Sequence, residues 1–169
     1  MKKIVTLAVL SVMLLSFAIP AFAEGLKVAY VAVDEVFDGY QKTKDQDLVL
    51  KTAGEAKEKE RTDMTNGIRA MEDELALLSA DARAKKQEQL IEKKRQLEDF
   101  DRSVRQQLAE RRDKVVREIF QEIDGVVQDV CAKGGYDLVF NKRVLLYQKK
   151  TLDITAQVAA ELAKKYKKV

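Results

Sequence analysis

The sequence predicts an α+β protein that is mostly α: a long antiparallel coiled-coil helical hairpin projecting from a small β body shared between subunits. Three observations predict it. The stretch from Asp45 to Ala132 has no proline and is dense in Lys, Arg, Glu, Asp, Gln and Ala. An apolar seam with heptad spacing runs along it on both sides of a turn at Ser79-Ala80-Asp81. Short runs of strand-forming residues flank it, and they are too few to build a sufficient core by themselves.

Residues 1–23 read as a secretory leader. Lys2-Lys3 supply the basic start, Ile4 to Ile19 the apolar run, and Ala21-Phe22-Ala23 a small-x-small cleavage site. The apolar run falls short of the roughly 18 to 20 residues that span a bilayer, which argues against a retained anchor. Cleavage near Ala23 would release an exported mature chain. The 31 basic residues then fall to 29, against 28 acidic ones. Such balance predicts no nucleic-acid partner. The one cysteine, Cys131, excludes an internal disulfide. It reads as a small packed residue at a helix end rather than as an intermolecular bridge.

Leu26 to Val33 is rich in Val and Tyr, with apolar side chains on both faces, and predicts a short strand covered on both sides. Val36, Phe37 and Tyr40 then have the spacing of a helix packed on it. From Asp45 to Leu78 the residues Met64, Ile68, Met71, Leu75 and Leu78 recur every four and three positions, the a/d pattern of a coiled coil. Asn66-Gly67 could signal a turn, but the heptad phase passes through it, so it predicts a weak point within one helix. Ser79 suits an N-cap. A second helix follows from about Ala82 to Ala132 and stops at Gly134-Gly135.

Folding the two helices back near residue 80 sets Met71 against Leu90, Met64 against Leu97 and Lys57 against Val104, a seven-residue recurrence on both strands. Lys94 and Asp101 break the pattern by standing where apolar residues are expected. From Val115 the apolar face widens to Ile119, Phe120, Ile123, Val126, Val127 and Val130. A wide face belongs to a buried helix and a narrow stripe to a solvated one. The expected division is therefore a projecting arm, 45–114, and a body formed by 24–44 and 115–169.

After the glycines, Tyr136 to Asn141 and Val144 to Tyr147 predict a β-hairpin turning at Lys142-Arg143. Asp153-Ile154-Thr155 is a capping signal for a last helix that ends in lysines. Exposed strand edges are a liability in a monomer, and sharing the sheet between subunits removes it. Val28, Tyr30, Val31, Leu138, Phe140, Leu146 and Tyr147 are the candidates for that contact. The residues themselves leave two-fold and three-fold closure equally open.

Chemistry is nearly absent. With no histidine, the chain offers no imidazole acid, base or metal ligand, and Cys131 lacks an activating neighbour. No glycine-rich phosphate loop appears. We therefore expect no enzyme, no metal and no cofactor. The candidate binding residues are apolar side chains of the arm: Phe100, its only aromatic, with Leu77 and Ile91 beside the seam and Met64 and Met71 on it. Methionine suits adaptable contacts, although the heptad phase assigns Met64 and Met71 first to seam packing. The basic tail (Lys164, Lys165, Lys167, Lys168) could touch anionic membrane lipid, or could simply end a soluble helix.

Taken in order, these segments resemble the Skp/OmpH family of periplasmic chaperones for outer-membrane proteins. The match is carried by the leader, Lys27 to Val31 with Val36-Phe37 and Tyr40, the charged hairpin turning at Leu78-Ser79, Tyr136 to Phe140, Val144 to Tyr147, and Asp153-Ile154-Thr155. The resemblance implies a homotrimer whose arms enclose a cavity for unfolded outer-membrane proteins, which it holds without ATP. One departure stands out. Hairpin tips in the family are often strongly basic, whereas Arg61 to Asp101 here has eight basic and ten acidic residues. No lipopolysaccharide site is carried over. The competing expectation is a secreted coiled-coil adaptor that links envelope components.

Overall fold

The computed structural model describes residues 25–167. The leader, its cleavage site and Lys168 lie outside the described residues. Chain order is β1 (Val28–Val31), α1 (Val33–Gly39), α2 (Gln41–Leu77), α3 (Ala80–Gly134), β2 (Leu138–Asn141) and α4 (Thr155–Tyr166). The α3 helix alone, at 55 residues, spans about 80 Å.

The predicted hairpin of two long helices is present, and its register is the expected one. Lys57 and Val104 line one crevice. Ion pairs cross the hairpin at Arg61–Asp101 (3.0 Å), Glu74–Lys86 (2.6 Å) and Glu72–Lys94 (2.6 Å). They explain why Lys94 and Asp101 interrupt the apolar seam: each is matched by an opposite charge on α2. Part-exposed pairs of this kind contribute at most about 1 kcal/mol each, so they fix register more than stability. Between them Ile68 and Leu90 are buried, with Met64, Met71, Leu75, Leu78 and Leu97 half-buried. The helix α2 runs through Asn66-Gly67 without a break. Ser79 occupies the N-cap position of α3 with extended backbone, but its side chain makes no capping bond.

At its far end α3 stops where expected. Gly135 has φ +63°, which glycine adopts without the Cβ clash other residues suffer. The Tyr136 N–H then reaches back to the Cys131 carbonyl at 3.1 Å, closing the helix end. Gly134 is small for another reason: a Cβ there would lie 2.4 Å from the Tyr136 ring.

The core lies at the root of the hairpin. Ile119, Ile123, Val126 and Val130, spaced four, three and four apart on α3, pack with Ala29 and Val31 of β1, Val36 of α1, and Val158 and Leu162 of α4. Polar bonds tie α2 to the same root. The chain breaks helix at Tyr40, whose hydroxyl donates to Glu122 at 3.0 Å, while the Lys42 ammonium meets the other oxygen of that carboxylate. Burial, with Glu122 beside it, pushes the Tyr40 hydroxyl well above its ordinary value. From α4, the Tyr166 hydroxyl donates to Asp45 at 2.7 Å and, together with Gln41, holds that carboxyl below the usual range.

The β structure corrects one expectation. Val144 to Tyr147 is not a strand and does not pair back on β2. Instead β2 lies parallel to β1, Val28 opposite Leu138 and Tyr30 opposite Phe140. A parallel pair requires a long crossover, and here the whole of α1, α2 and α3 supplies it. The turn after β2 is a single 3-10 turn, Lys142–Val144, with the Asn141 side chain accepting from the Arg143 N–H at 3.1 Å. Lys142 and Arg143 then pair with Glu35 and Asp34 of α1, which carries the chain across the helix and away from β2. The apolar run in this stretch is real, but within one chain it has no strand to face.

All three residues of the predicted cap make hydrogen bonds at the start of α4, although Ile154, which holds the N-cap position, gives no side-chain capping bond. The Asp153 carboxylate accepts the Thr155 N–H at 2.9 Å, the Ile154 N–H reaches the Tyr30 carbonyl at 3.0 Å, and the Thr155 hydroxyl accepts the Ala32 N–H at 2.9 Å. Partial burial pushes the Asp153 carboxyl up. Hydrogen bonds from Thr155 and Tyr30 and the Lys142 charge outweigh it and hold the group below its ordinary value. A carboxyl lowered on folding contributes stability above its unfolded value, near pH 4, and loses it as pH falls through the folded value. Asp153→Ala should therefore cost about 1 kcal/mol at neutral pH, as the loss of one side-chain hydrogen bond to the backbone does. In thermal melts the gap to the parent protein should narrow below about pH 4 and close at lower pH.

Candidate binding surfaces

Large apolar side chains stay open in two places. The first is the arm. Leu77, at the end of α2, is 87% exposed, and Ile91 on α3 is 62% exposed. Both stand beside the seam, where the heptad spacing put them. Phe100 is half-buried, with the Lys57 ammonium 5.4 Å from its ring centroid, in a crevice it shares with Gly54, Arg61 and Val104. Met64 and Met71 lie on the seam yet keep part of their surface open, as walls of a groove around Gly67. All five residues fall along one hairpin, but they form no single pocket.

The second place is the sheet and the segment that follows it. Leu138 and Phe140 on β2 are 47% and 40% exposed, and Leu146 and Tyr147 are open to solvent. Val144, which the sequence reading placed in the strand without singling it out, is exposed beside them. Val28 is half-buried, whereas Tyr30 and Val31 are covered by their own chain. One edge of β1 is occupied by β2, and the other meets Asp153 through a single bridge next to Tyr30. The outer edge of β2 has no strand beside it among the described residues.

Lysines gather at a third place, where α3 and α4 end. Lys133, Lys164, Lys165 and Lys167 surround a groove that also holds Asp129 and Glu161. Lys164 bonds Glu161 at 2.7 Å, and with Lys133 nearby it holds that carboxyl below its usual range. Lys133 is the member that the tail pattern alone did not reveal, since it comes from a distant part of the chain.

Among the described residues no group of His, Cys, Asp or Glu could hold a metal ion, and no helix is long and apolar enough to cross a membrane. Cys131 is a free, half-buried thiol.

A long helical hairpin rooted in a small α/β layer, with apolar side chains left open along the arm and at the sheet, defines a protein built around a projecting coiled coil. The chain belongs to the OmpH-like outer membrane protein family, whose model matches residues 27–162. Its fold is similar to that of a crystal structure from Caulobacter crescentus CB15 assigned as an outer membrane chaperone (OmpH-like). The TM-score is 0.77 and the identity 17%, over 83% of this chain and 85% of that one. No curated protein matches the sequence. The family named from the residues is thus the family found, and the mixed helical fold is the one expected.

Proposed function

We propose that this protein is an ATP-independent holdase of the periplasm that binds unfolded outer-membrane polypeptides between helical arms and keeps them from aggregating. The observation that carries the reading is the arm surface. Residues 45–114 expose apolar side chains, Leu77, Leu48 and Ile91 most, among many charged ones. Such a wall makes many weak contacts and no shaped one, which suits a partner without fixed structure. Release then needs no energy source, because the client gains more by folding into a membrane than it loses by leaving.

The same reading makes the working unit a homotrimer. Leu138, Phe140, Leu146 and Tyr147 supply the contact between subunits, and the open edge of β2 supplies the pairing. Arms set around a common body enclose the space in which a client sits. The lysine groove at the ends of α3 and α4 adds a weak contact with anionic membrane lipid, at a place remote from the arm tips.

An aggregation assay tests the holdase directly. Several unrelated porins, unfolded in urea and diluted into buffer, should scatter less light when the protein is present at one trimer per porin. An adaptor for the cell envelope would bind one folded partner instead and leave the porins to aggregate. No suppression at that ratio contradicts the reading.

A further inference from the structure

We propose that the groove around Gly67 on each arm is a docking site for an aromatic side chain of an unfolded polypeptide and for the peptide group beside it. The inference rests on the holdase reading and names the part of the client that the arm holds.

The groove encloses about 340 Å³. Its lining comes from five residues of α2 and one of α3: Asp63, Met64, Gly67, Ile68, Met71 and Lys93. Ile68 is buried and forms the floor, and the half-buried Met64 and Met71 form the walls. Gly67 opens the space. It sits in mid-helix, where glycine is unfavourable, yet neither a turn nor a close neighbour calls for it: φ is not positive, and an added Cβ would meet nothing within 4 Å. What the missing side chain leaves behind is the groove itself.

The lining chemistry selects the occupant. Thioethers make favourable contacts with aromatic rings and adapt to rings of different outline. The rim carries two charges of opposite sign. Asp63, an acceptor only, makes no hydrogen bond or ion pair among the described residues, and Lys93, a donor only, bonds just the Gln96 amide at 3.2 Å. The two charges that stand on the seam itself are matched, Asp101 by Arg61 and Lys94 by Glu72. Asp63 and Lys93 line the same groove without reaching one another. A peptide group offers an N–H to one and a carbonyl to the other, so the two charges match a backbone dipole and carry no demand for a charged side chain. An aromatic ring in the groove, with its own peptide group at the rim, satisfies every element of the site and leaves the neighbouring sequence free.

The test uses the full chain with ¹³C-methyl methionine, the Met64 and Met71 signals being assigned by Met→Leu variants. The probes are an unstructured Gly/Ser peptide with one Phe and the same peptide with Ala in its place. The Phe peptide should shift both methyl signals and the Ala peptide neither. Gly67→Leu, which fills the groove, should abolish the shift without loss of helicity and weaken binding of a urea-unfolded porin by about threefold to tenfold. Gly67→Ala provides the folding control. It should raise the arm's thermal stability and still reduce the shift.

Methyl signals that ignore the Phe peptide, or a shift that survives Gly67→Leu, would overturn the proposal. So would shifts that follow protein concentration alone, which would mark the groove as a contact between copies of the chain. Unchanged porin binding by Gly67→Leu would remove its role in holding clients. If the methyls respond to the Phe peptide while the parent protein fails to protect porins, the groove stands and the holdase reading falls.

Discussion

Leu146→Asp combined with Tyr147→Ser should turn the proposed trimer into separate, folded chains. In one protomer both side chains are open to solvent, at 107% and 81% exposure, on a segment with no strand partner in its own chain. Exposed singly, such residues need no explanation. Val144 of the same segment is exposed as well, as are Leu138 and Phe140 on β2, whose outer edge is free, and so many open apolar side chains in one small body mark an interface. Burying each of the two side chains is worth about 1.5 to 3 kcal/mol. Removing both should weaken each contact by about two to four orders of magnitude. Sedimentation would show trimer for the parent protein and monomer for the variant at micromolar concentration, with far-UV circular dichroism unchanged because neither residue serves the protomer's core. A variant that still sediments as a trimer would move the interface elsewhere.

The second large effect separates two isoleucines of the same helix. Ile123, 2% exposed, packs among Val36, Val126, Val158 and Leu162, and Ile123→Ala should cost about 2 to 5 kcal/mol. The body is small, so this is a large part of its stability, and the melting temperature should fall sharply. Ile91, 62% exposed, should give up its side chain within about 0.5 kcal/mol. Its effect should appear in binding: Ile91→Ala, and more strongly Ile91→Ser with Leu77→Ser, should reduce protection of unfolded porins while the melting temperature holds. Equal loss of stability from both isoleucines would mean that Ile91 packs within the hairpin.

How far the residues foretold this depends on range. The arm was legible because its rules are local: heptad spacing set the seam, and spacing alone put Leu77 and Ile91 outside it. The glycine stop at Gly134-Gly135 and the start of the last helix at Thr155 were legible for the same reason. The sheet was not. Val144 to Tyr147 has the composition of a strand, but pairing is decided by which edge is available, and β2 takes β1 from more than a hundred residues away. The matching of Lys94 and Asp101 with Glu72 and Arg61 became visible only once the register was in place. In the sequence alone Asn66-Gly67 marks a weak point of the helix, and the groove beside it is invisible. Its open side becomes meaningful when Lys93, from the other helix, closes the rim.

The measurement that reaches the central claim most directly is site-specific photo-crosslinking from the arm. A photoreactive side chain placed at Leu77 or Ile91 should capture a urea-unfolded porin diluted into the protein, and should not capture the same porin once it has folded in detergent. The same probe at Lys51, exposed near the start of α2, should capture much less. Equal capture of folded and unfolded porin, or no capture from either arm position, would contradict a holdase that grips unfolded chains with its arms.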